Sequence, residues 1–345
     1  MKTAVVICPG RGTYNKSELG YLQRHFGDRA LLETFDTRRT ALGQETLSAL
    51  DGAARYALAT HTRGDNASAL IYAATLGDFR AIDRERIEVV AVTGNSLGWY
   101  SALAVGGALS AEAGFEVANT MGTLMQEALI GGQLIYPFVD EEWVPDVARK
   151  AQLLAQVAEI DRHADQVLAL SIDLGGMLVL AGNEAGLAAF EQAVPPLQGR
   201  FPMRLANHAG FHCALQRPVA ECGRARLAPE LFGLPRLPMI DGRGAIWWPG
   251  ATDTQALWDY TLGHQVVATY DFSQAVRIAA REFAPDLFIV TGPGSTLGGA
   301  VAQALILADW RGMHGKSDFQ KRQQTDPVLV SMGMEEQRKI VTTGV

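Results

Sequence analysis

A serine stands between two glycines in Gly94-Asn95-Ser96-Leu97-Gly98, directly after the apolar run Ile87–Thr93. The run predicts a buried strand, and the pattern after Gly98 turns helical. Such a strand-to-helix turn lifts a serine hydroxyl above the sheet edge, because small glycines permit the sharp bend. N–H groups at the start of the helix then face the same point, where an oxyanion can be stabilised. Ser96 is the predicted nucleophile, although the pattern also fits a plain turn with a capping serine, or an esterase.

A serine nucleophile needs a general base within hydrogen-bond reach. Of the seven histidines, four lie in polar surroundings typical of solvated side chains. His208, His212 and His264 lie near predicted core elements. His208 and His212 share a loop that leads into a helix rich in small apolar residues, which favours a side chain directed into a cleft. Spacing alone does not choose between these two.

The elements around these residues predict the fold class. Strands alternate with helices before residue 131 and again after residue 201, which indicates an α/β protein with a largely parallel sheet. Between them, 132–200 reads strand, helix, strand, strand, helix, an order that suits a ferredoxin-like insertion. The polar segment 315–345 is predicted to be a peripheral C-terminal tail, so that the core comprises 1–131 and 201–314.

Composition excludes several classes of function. The formal charge of −7 over 345 residues and the absence of a dense Lys/Arg run argue against nucleic-acid binding. The three cysteines form neither a disulfide framework nor a metal-ligand spacing, which favours reduced thiols and a cytoplasmic location without a metal. The sequence has no run of about 18 apolar residues, so no membrane span is predicted. Gly10-Arg11-Gly12 lacks the Lys-Ser/Thr of a phosphate-binding loop.

Five motifs, in this order along 3–305, together resemble the malonyl-CoA:acyl-carrier-protein transacylase family: Pro9-Gly10-x-Gly12, Gly94-x-Ser96-Leu97-Gly98, Met125-Gln126-Glu127-Ala128, His212-Cys213-Ala214-Leu215 and Gly292-Pro293-Gly294. The resemblance implies an α/β-hydrolase-like core with a ferredoxin-like inserted subdomain. It also implies a [acyl-carrier-protein] S-malonyltransferase-like enzyme of fatty-acid or polyketide-type biosynthesis. Its substrate would be an acyl-CoA, its partner an acyl carrier protein, and no cofactor would be bound permanently.

The resemblance also implies residue roles. Ser96 would attack the coenzyme A thioester with His212 as base, and the acyl-serine would pass to the phosphopantetheine thiol of the carrier protein. The backbone N–H groups of Leu97 and Arg11 would form the oxyanion hole. Gln265 would orient His212 through its carbonyl, although an ordinary loop glutamine fits that position equally well.

Three residues depart from the family pattern and would shape the acyl pocket. Arg11 replaces a glutamine, Asn95 replaces the histidine of the elbow, and Met121 replaces an arginine. An arginine there would fork two N–H donors onto the free carboxylate of malonyl, whereas methionine offers none. Malonyl is therefore expected to be a poor substrate unless another cation replaces that arginine. Arg11 is the candidate; the alternatives are that it points to solvent or meets the phosphates of coenzyme A.

Two other functions remain open on the same scaffold. One is a hydrolase that removes acyl groups from carrier proteins; the other is a degenerate member that only binds them. The intact pair of Ser96 and His212 argues against the second. Arg217, Arg224 and Arg226 form a possible basic patch for an acidic carrier protein, or else a solvated helix face.

Overall fold

The computed structural model describes residues 1–343. Within this range the strands, β1 to β11 in chain order, are Lys2–Cys8, Ile87–Gly94, Gly132–Pro137, Leu168–Leu174, Met177–Gly182, Met203–Arg204, Met239–Ile240, Ile246–Trp247, Tyr270–Asp271, Leu287–Val290 and Leu329–Ser331. The helices, α1 to α16, are Tyr21–His25, Arg29–Ala41, Leu47–Asp51, Leu58–His61, Gly64–Ala81, Gly98–Val105, Ala111–Ala128, Val147–Asp161, Glu184–Ala193, Arg217–Arg226, Thr254–Asp259, Gln265–Val267, Phe272–Phe283, Thr296–Leu307, Lys316–Thr325 and Glu335–Val341.

The main sheet has the strand order β11-β10-β1-β2-β7-β8 and is parallel except for β8, which is antiparallel to β7. Its central strand β1 is completely buried from Ala4 to Cys8. Such a continuous apolar run is typical of a parallel strand that is covered on both faces. The predicted α/β class is confirmed, and parallel strands place the carboxyl ends of β1, β2 and β10 at one edge.

The second sheet has the order β6-β3-β5-β4-β9, and the pairs among β6, β3, β5 and β4 are antiparallel. This is the strand order of a ferredoxin-like unit. The edge strand β6 lies beyond residue 200, where the predicted insertion ends. Strand β9 belongs to the core segment and pairs in parallel with β4 at the opposite edge of this sheet. We therefore propose a division into core and insertion, with the insertion extended to residue 204.

The prediction of a peripheral tail is wrong for two elements after residue 314. β11 pairs with β10 at the edge of the main sheet. On α16, the Arg338 Nη1 donates to the Asp78 Oδ1 over 2.6 Å, and both side chains are buried. The few apolar residues of this segment, Val328–Met332, are enough to form a buried edge strand. The polar composition of the segment as a whole did not predict this strand.

Two helices have bounds that differ from the apolar spacing of the sequence. Apolar residues at helical spacing over 47–59 predict one helix, but the structure has α3 and α4, because the chain leaves the helix at Gly52. The spacing over 143–163 predicts a helix that begins at Trp143, whereas α8 begins at Val147, after the cap Asp146. Pro145 explains this start, since the residue before a proline avoids helical geometry.

None of the helices within residues 1–343 combines the length and the apolar composition of a membrane span.

Candidate active site

Ser96 stands on a strained turn between β2 and α6. Its φ of 56° is in the left-handed region, which costs free energy for a residue other than glycine. A Cβ on Gly98 would lie 2.1 Å from the Cys8 carbonyl oxygen, and a Cβ on Gly94 would lie 2.2 Å from Gly98. Both positions therefore require glycine because the backbone segments approach closely, as expected from the predicted sharp turn.

The structure brings Ser96, His212 and Gln265 together. The Ser96 Oγ and the His212 Nε2 are 2.7 Å apart, and the His212 Nδ1 lies 2.6 Å from the Gln265 carbonyl oxygen. A carbonyl can only accept, so the proton of the neutral ring sits on Nδ1. Nε2 is therefore the acceptor that faces the serine hydroxyl, which is the arrangement a general base needs.

A helix irregularity makes the Gln265 carbonyl available. A π-helical turn over Tyr260–His264 runs directly into the short helix α12, which ends at Val267. Carbonyls in the last turn of a helix have no partner within it, so Gln265 can accept from His212. The side chain of Gln265 donates to the Ser96 carbonyl over 3.2 Å and accepts from the Tyr100 hydroxyl over 3.2 Å.

His212 and His208 have different surroundings. Burial lowers the pKa of His212 to about 4, although the Gln265 carbonyl opposes the shift. His212 is therefore neutral at pH 7. Burial and the nearby Arg11 charge lower the pKa of His208 to about 3, and its Nδ1 lies 2.9 Å from the Gln133 Oε1. His208 faces Gln133 and not the serine, so the structure places His212 beside the hydroxyl.

The two predicted oxyanion donors are available. In the described part of the chain, the backbone N–H groups of Leu97 and Arg11 donate to no protein acceptor. Leu97 precedes the first residue of α6, where the helix dipole favours negative charge. Arg11 lies in the turn after β1, whose Gly10 packs against the Asn95 carbonyl.

Two cavities meet at Ser96. The larger, about 280 Å³, combines apolar side chains of the second sheet with Asn95, Gln133 and His208. The smaller, about 20 Å³, is lined by Ser96 and, besides it, by Arg11, Ser68, Leu97, Tyr100, Gly122, Met125, Phe211, His212, Gln265 and Val266. Arg11, Ser96 and Phe211 line both cavities, so the nucleophile and the guanidinium lie at their junction.

Arg11 does not point into solvent. Its Nη2 donates to the carbonyl oxygens of Thr62 over 2.8 Å and Asn207 over 3.0 Å, and its guanidinium lies 5.3 Å from the centre of the Phe211 ring. Its Nε is buried and has no acceptor in the described part of the chain. Burial lowers the pKa of Arg11 to about 10, with Asp65 opposing the shift, so the group remains positive at pH 7.

The predicted acyl-pocket residues separate. Asn95 lines the larger cavity, where its buried Oδ1 has no partner in the described part of the chain. Met121 lines neither cavity. It is completely buried, and its sulfur packs against Gly223 of α10. A Cβ on Gly223 would lie only 2.7 Å from that sulfur. In this structure the apolar side chain of Met121 turns into the contact between α7 and α10, and its acyl-pocket position stays a prediction.

Ser68 is a site residue that sequence analysis missed. It lies on α5, which is buried over most of its length, and its hydroxyl lines the smaller cavity without a partner in the described part of the chain. The Gln126 Oε1 accepts from the Gly64 N–H over 2.6 Å and fixes the start of α5. A polar residue within an apolar helix was the available signal, but it does not say which neighbours the hydroxyl faces.

No group of three or more metal-ligating side chains forms a candidate metal site within residues 1–343.

No family model matches the chain. A malonyl CoA-acyl carrier protein transacylase of Salmonella typhimurium is 25% identical over 211 residues, 60% of this chain and 63% of that protein. The counterpart of Haemophilus influenzae is 24% identical over 64% of this chain. The matches thus span about 63% to 68% of the length of these relatives.

Solved structures show the same fold over nearly the whole chain. An acyl-carrier-protein S-malonyltransferase of Burkholderia pseudomallei has a TM-score of 0.74 at 23% identity and covers 99% of both chains. The chain is similar in sequence and in fold to malonyl-CoA:acyl-carrier-protein transacylases. A malonyl-transacylase solved with a type II polyketide acyl-carrier protein has a TM-score of 0.71 at 21% identity and covers 88% of this chain. The transacylase fold therefore includes the sheet edge at which Ser96 lies.

Proposed function

We propose that this chain is a serine acyltransferase that moves an acyl group from acyl-CoA to the phosphopantetheine thiol of an acyl carrier protein, in fatty-acid or polyketide-type biosynthesis. The observation that carries the proposal is the linear set of contacts from the Ser96 hydroxyl through the His212 ring to the Gln265 carbonyl. The transacylase relatives, named for acyl transfer to carrier protein, support it.

The first half-reaction uses the two ring nitrogens of His212 differently. The His212 Nε2 takes the hydroxyl proton as the Ser96 Oγ bonds to the thioester carbon, while the Gln265 carbonyl stabilises the resulting imidazolium through Nδ1–H. The N–H groups of Leu97 and Arg11 face the developing oxyanion. When the carbon–sulfur bond breaks, the coenzyme A sulfur takes the proton from His212.

The second half-reaction repeats these steps with a thiol as the nucleophile. The carrier-protein thiol gives its proton to the His212 Nε2 and attacks the acyl-serine, and Ser96 leaves with that proton. The larger cavity suits the pantetheine arm, because it combines apolar walls with a few polar groups, among them Gln133 and His208.

Intact-protein mass spectrometry after incubation with a panel of acyl-CoAs tests the proposal. We expect the wild type to gain the mass of one acyl group and the Ser96→Ala variant to gain none. Adding a carrier protein with its phosphopantetheine arm should remove the label and place it on the carrier. Identical spectra for wild type and Ser96→Ala with every thioester would refute the nucleophile. Loss of the label to water at the same rate with and without carrier protein would identify a hydrolase instead.

A further inference from the structure

The guanidinium of Arg11 is a half-buried cation without a paired anion. No carboxylate lies within 4.0 Å of it in the described part of the chain, and its nearest acidic neighbour, Asp65, is paired with Arg63. Two carbonyls occupy Nη2, whereas Nε has no acceptor. Burying a charge is costly unless it is paired, so the site is arranged for an anion that the chain itself does not supply.

A second unpaired group lies at the same place. The Ser68 hydroxyl is 1% exposed and has no partner within the described residues. It lines the smaller cavity together with Arg11 and Ser96. Ser68 faces Gly122, where a Cβ would lie only 2.6 Å from its Oγ, so only glycine at this position leaves room for the hydroxyl. Two donors thus converge on the cavity that contains the nucleophile.

We propose that the Arg11 guanidinium and the Ser68 hydroxyl bind the terminal carboxylate of a short dicarboxylic acyl group, an inference that rests on the proposed acyl transfer at Ser96. A carboxylate has the lone pairs to accept from both donors at once. The cavity of about 20 Å³ is little larger than one water needs, so it leaves no room for a long acyl chain beside Arg11 and Ser68. The carboxylate is therefore held from the loop after β1 and from α5, and not from position 121 on α7.

The other occupants considered for Arg11 fit less well. The phosphates of coenzyme A are separated from the thioester by the whole pantetheine arm, whereas Arg11 lines the same cavities as the nucleophile. The contacts with Thr62, Asn207 and Phe211 hold the side chain against the protein, which favours a position beside the cavities over a fully solvated one. A carboxylate two bonds from the reacting carbonyl is the anion that reaches this place.

Competition between acyl-CoAs tests the inference. Malonyl-CoA is compared with isovaleryl-CoA, in which two methyl groups replace the carboxylate oxygens at similar size. We expect wild type to be acylated faster by malonyl-CoA. The rate ratio should fall by about 10- to 100-fold in Arg11→Met and by about 2- to 10-fold in Ser68→Ala, because hydrogen bonds to charged groups are the stronger ones. Side-chain variants of Arg11 keep its backbone N–H, and the ratio is measured within one protein, so a general loss of rate does not mimic the effect.

Ser101→Ala is the matched control. Ser101 is also 1% exposed with an unpartnered hydroxyl in the described part of the chain, but it lines neither cavity. The ratio of the malonyl-CoA rate to the isovaleryl-CoA rate in Ser101→Ala should equal that of wild type. Equal rates for the two thioesters in wild type, or an unchanged ratio in Arg11→Met, would overturn the proposal.

Calorimetric binding to the Ser96→Ala variant separates this inference from the proposed function. Malonyl-CoA should bind at least 10-fold more tightly than isovaleryl-CoA, and Arg11→Met in the same background should abolish the difference. This result would support the carboxylate site even if no thioester labelled the wild type. Equal affinities would overturn the site even if Ser96 were readily acylated.

Discussion

In the proposed mechanism, the reactivity of Ser96 depends on a base that stays neutral at physiological pH. Burial keeps His212 uncharged, and the Gln265 carbonyl fixes the tautomer with Nε2 free. A carbonyl offers orientation without a full negative charge, so it raises the basicity of the ring less than a carboxylate would. At this scale, one backbone oxygen and one buried ring set the protonation state of the site.

Substitutions at His212 and Gln265 should differ in severity. His212→Ala is expected to slow acylation of Ser96 by about 10²- to 10⁴-fold, because the general base is lost. Gln265→Ala keeps the backbone carbonyl and loses only side-chain contacts with Ser96 and Tyr100, so a loss of about 10-fold or less is expected. Rapid-quench labelling measures both rates. Equal losses in two folded variants would contradict orientation by the carbonyl.

The acylation rate should hold to unusually low pH. His212 takes up its proton in the folded state only near pH 4, below its ordinary 6.5, so the acidic limb of the rate should have its midpoint below 6.5. The unfolded chain binds this proton near 6.5, and stability is therefore lost as pH falls from 6.5 towards 4. Labelling rates from pH 4 to 8, with circular dichroism at each pH, separate the two effects. A midpoint at or above 6.5 in folded protein would contradict the burial of a neutral ring.

At the scale of elements, the position of Ser96 follows from the approach of α6 to β1. The turn is so tight that Gly98 rests on the Cys8 carbonyl, and Gly94 rests on Gly98. Backbone atoms cannot yield as a flexible side chain can, so these contacts leave no space for a Cβ. The elbow therefore couples the nucleophile to the two central strands of the main sheet.

Replacing Gly98 by alanine should disrupt this element. The added Cβ would lie 2.1 Å from the Cys8 oxygen, and we expect a lower melting temperature together with loss of Ser96 labelling. Gly299→Ala is the control on α14, where a Cβ would meet nothing within 4 Å. It should stabilise the protein by about 0.5 to 1 kcal/mol, since alanine is the better helix former. Labelling by Gly98→Ala at the wild-type rate would contradict a required close approach.

Helix α10 illustrates what a charge pattern leaves undecided. Arg217 and Arg226 are exposed, whereas Arg224 pairs with Asp259 over 2.8 Å and lies over Trp258. Positions nine residues apart lie on opposite sides of a helix, so Arg217 and Arg226 do not share a face. One continuous basic patch of all three arginines is therefore not formed by this helix alone.

At the scale of the molecule, β11 and α16 complete the core. β11 extends the main sheet, and Arg338 reaches the Asp78 carboxylate, which also accepts from the Tyr21 hydroxyl and the Gly292 N–H. This network joins α5, which carries Ser68, to the loop after β10. The C-terminal helix thus supports elements on which the site is built.

Removing the charge of Arg338 should destabilise the whole fold. Arg338→Met leaves Asp78 buried without its cation, and we expect a loss of about 3 to 5 kcal/mol in the free energy of unfolding. Chemical denaturation measures the change. Lys339→Met, next in the chain but exposed, should leave the unfolding curve unchanged. An equally small effect of Arg338→Met would contradict a stabilising role for the pair of Arg338 and Asp78.

The sequence by itself predicted the strand before Ser96, the turn that carries it, and the residues of the proposed chemistry. Apolar periodicity predicted β2, and glycine spacing predicted the turn at Ser96, because both depend on neighbours within a few residues. The choice of His212 over His208 came from a motif and not from spacing. Only the tertiary structure showed that one ring faces the serine and the other faces Gln133.

Tertiary structure also decided which side chains surround the acyl group. Position 121 was expected to line the pocket, yet Met121 packs against Gly223. Ser68 is a polar residue in the apolar helix α5, and that local signal does not say which neighbours its hydroxyl faces. Arg11 was open between solvent, phosphate and carboxylate, and its burial beside Ser96 favours the carboxylate. Local spacing sets how a backbone turns, but the direction of a side chain and its partners depend on packing between segments far apart in the chain. For that reason the sequence predicted Ser96 as the nucleophile, whereas the side chains of its pocket could be identified only from the structure.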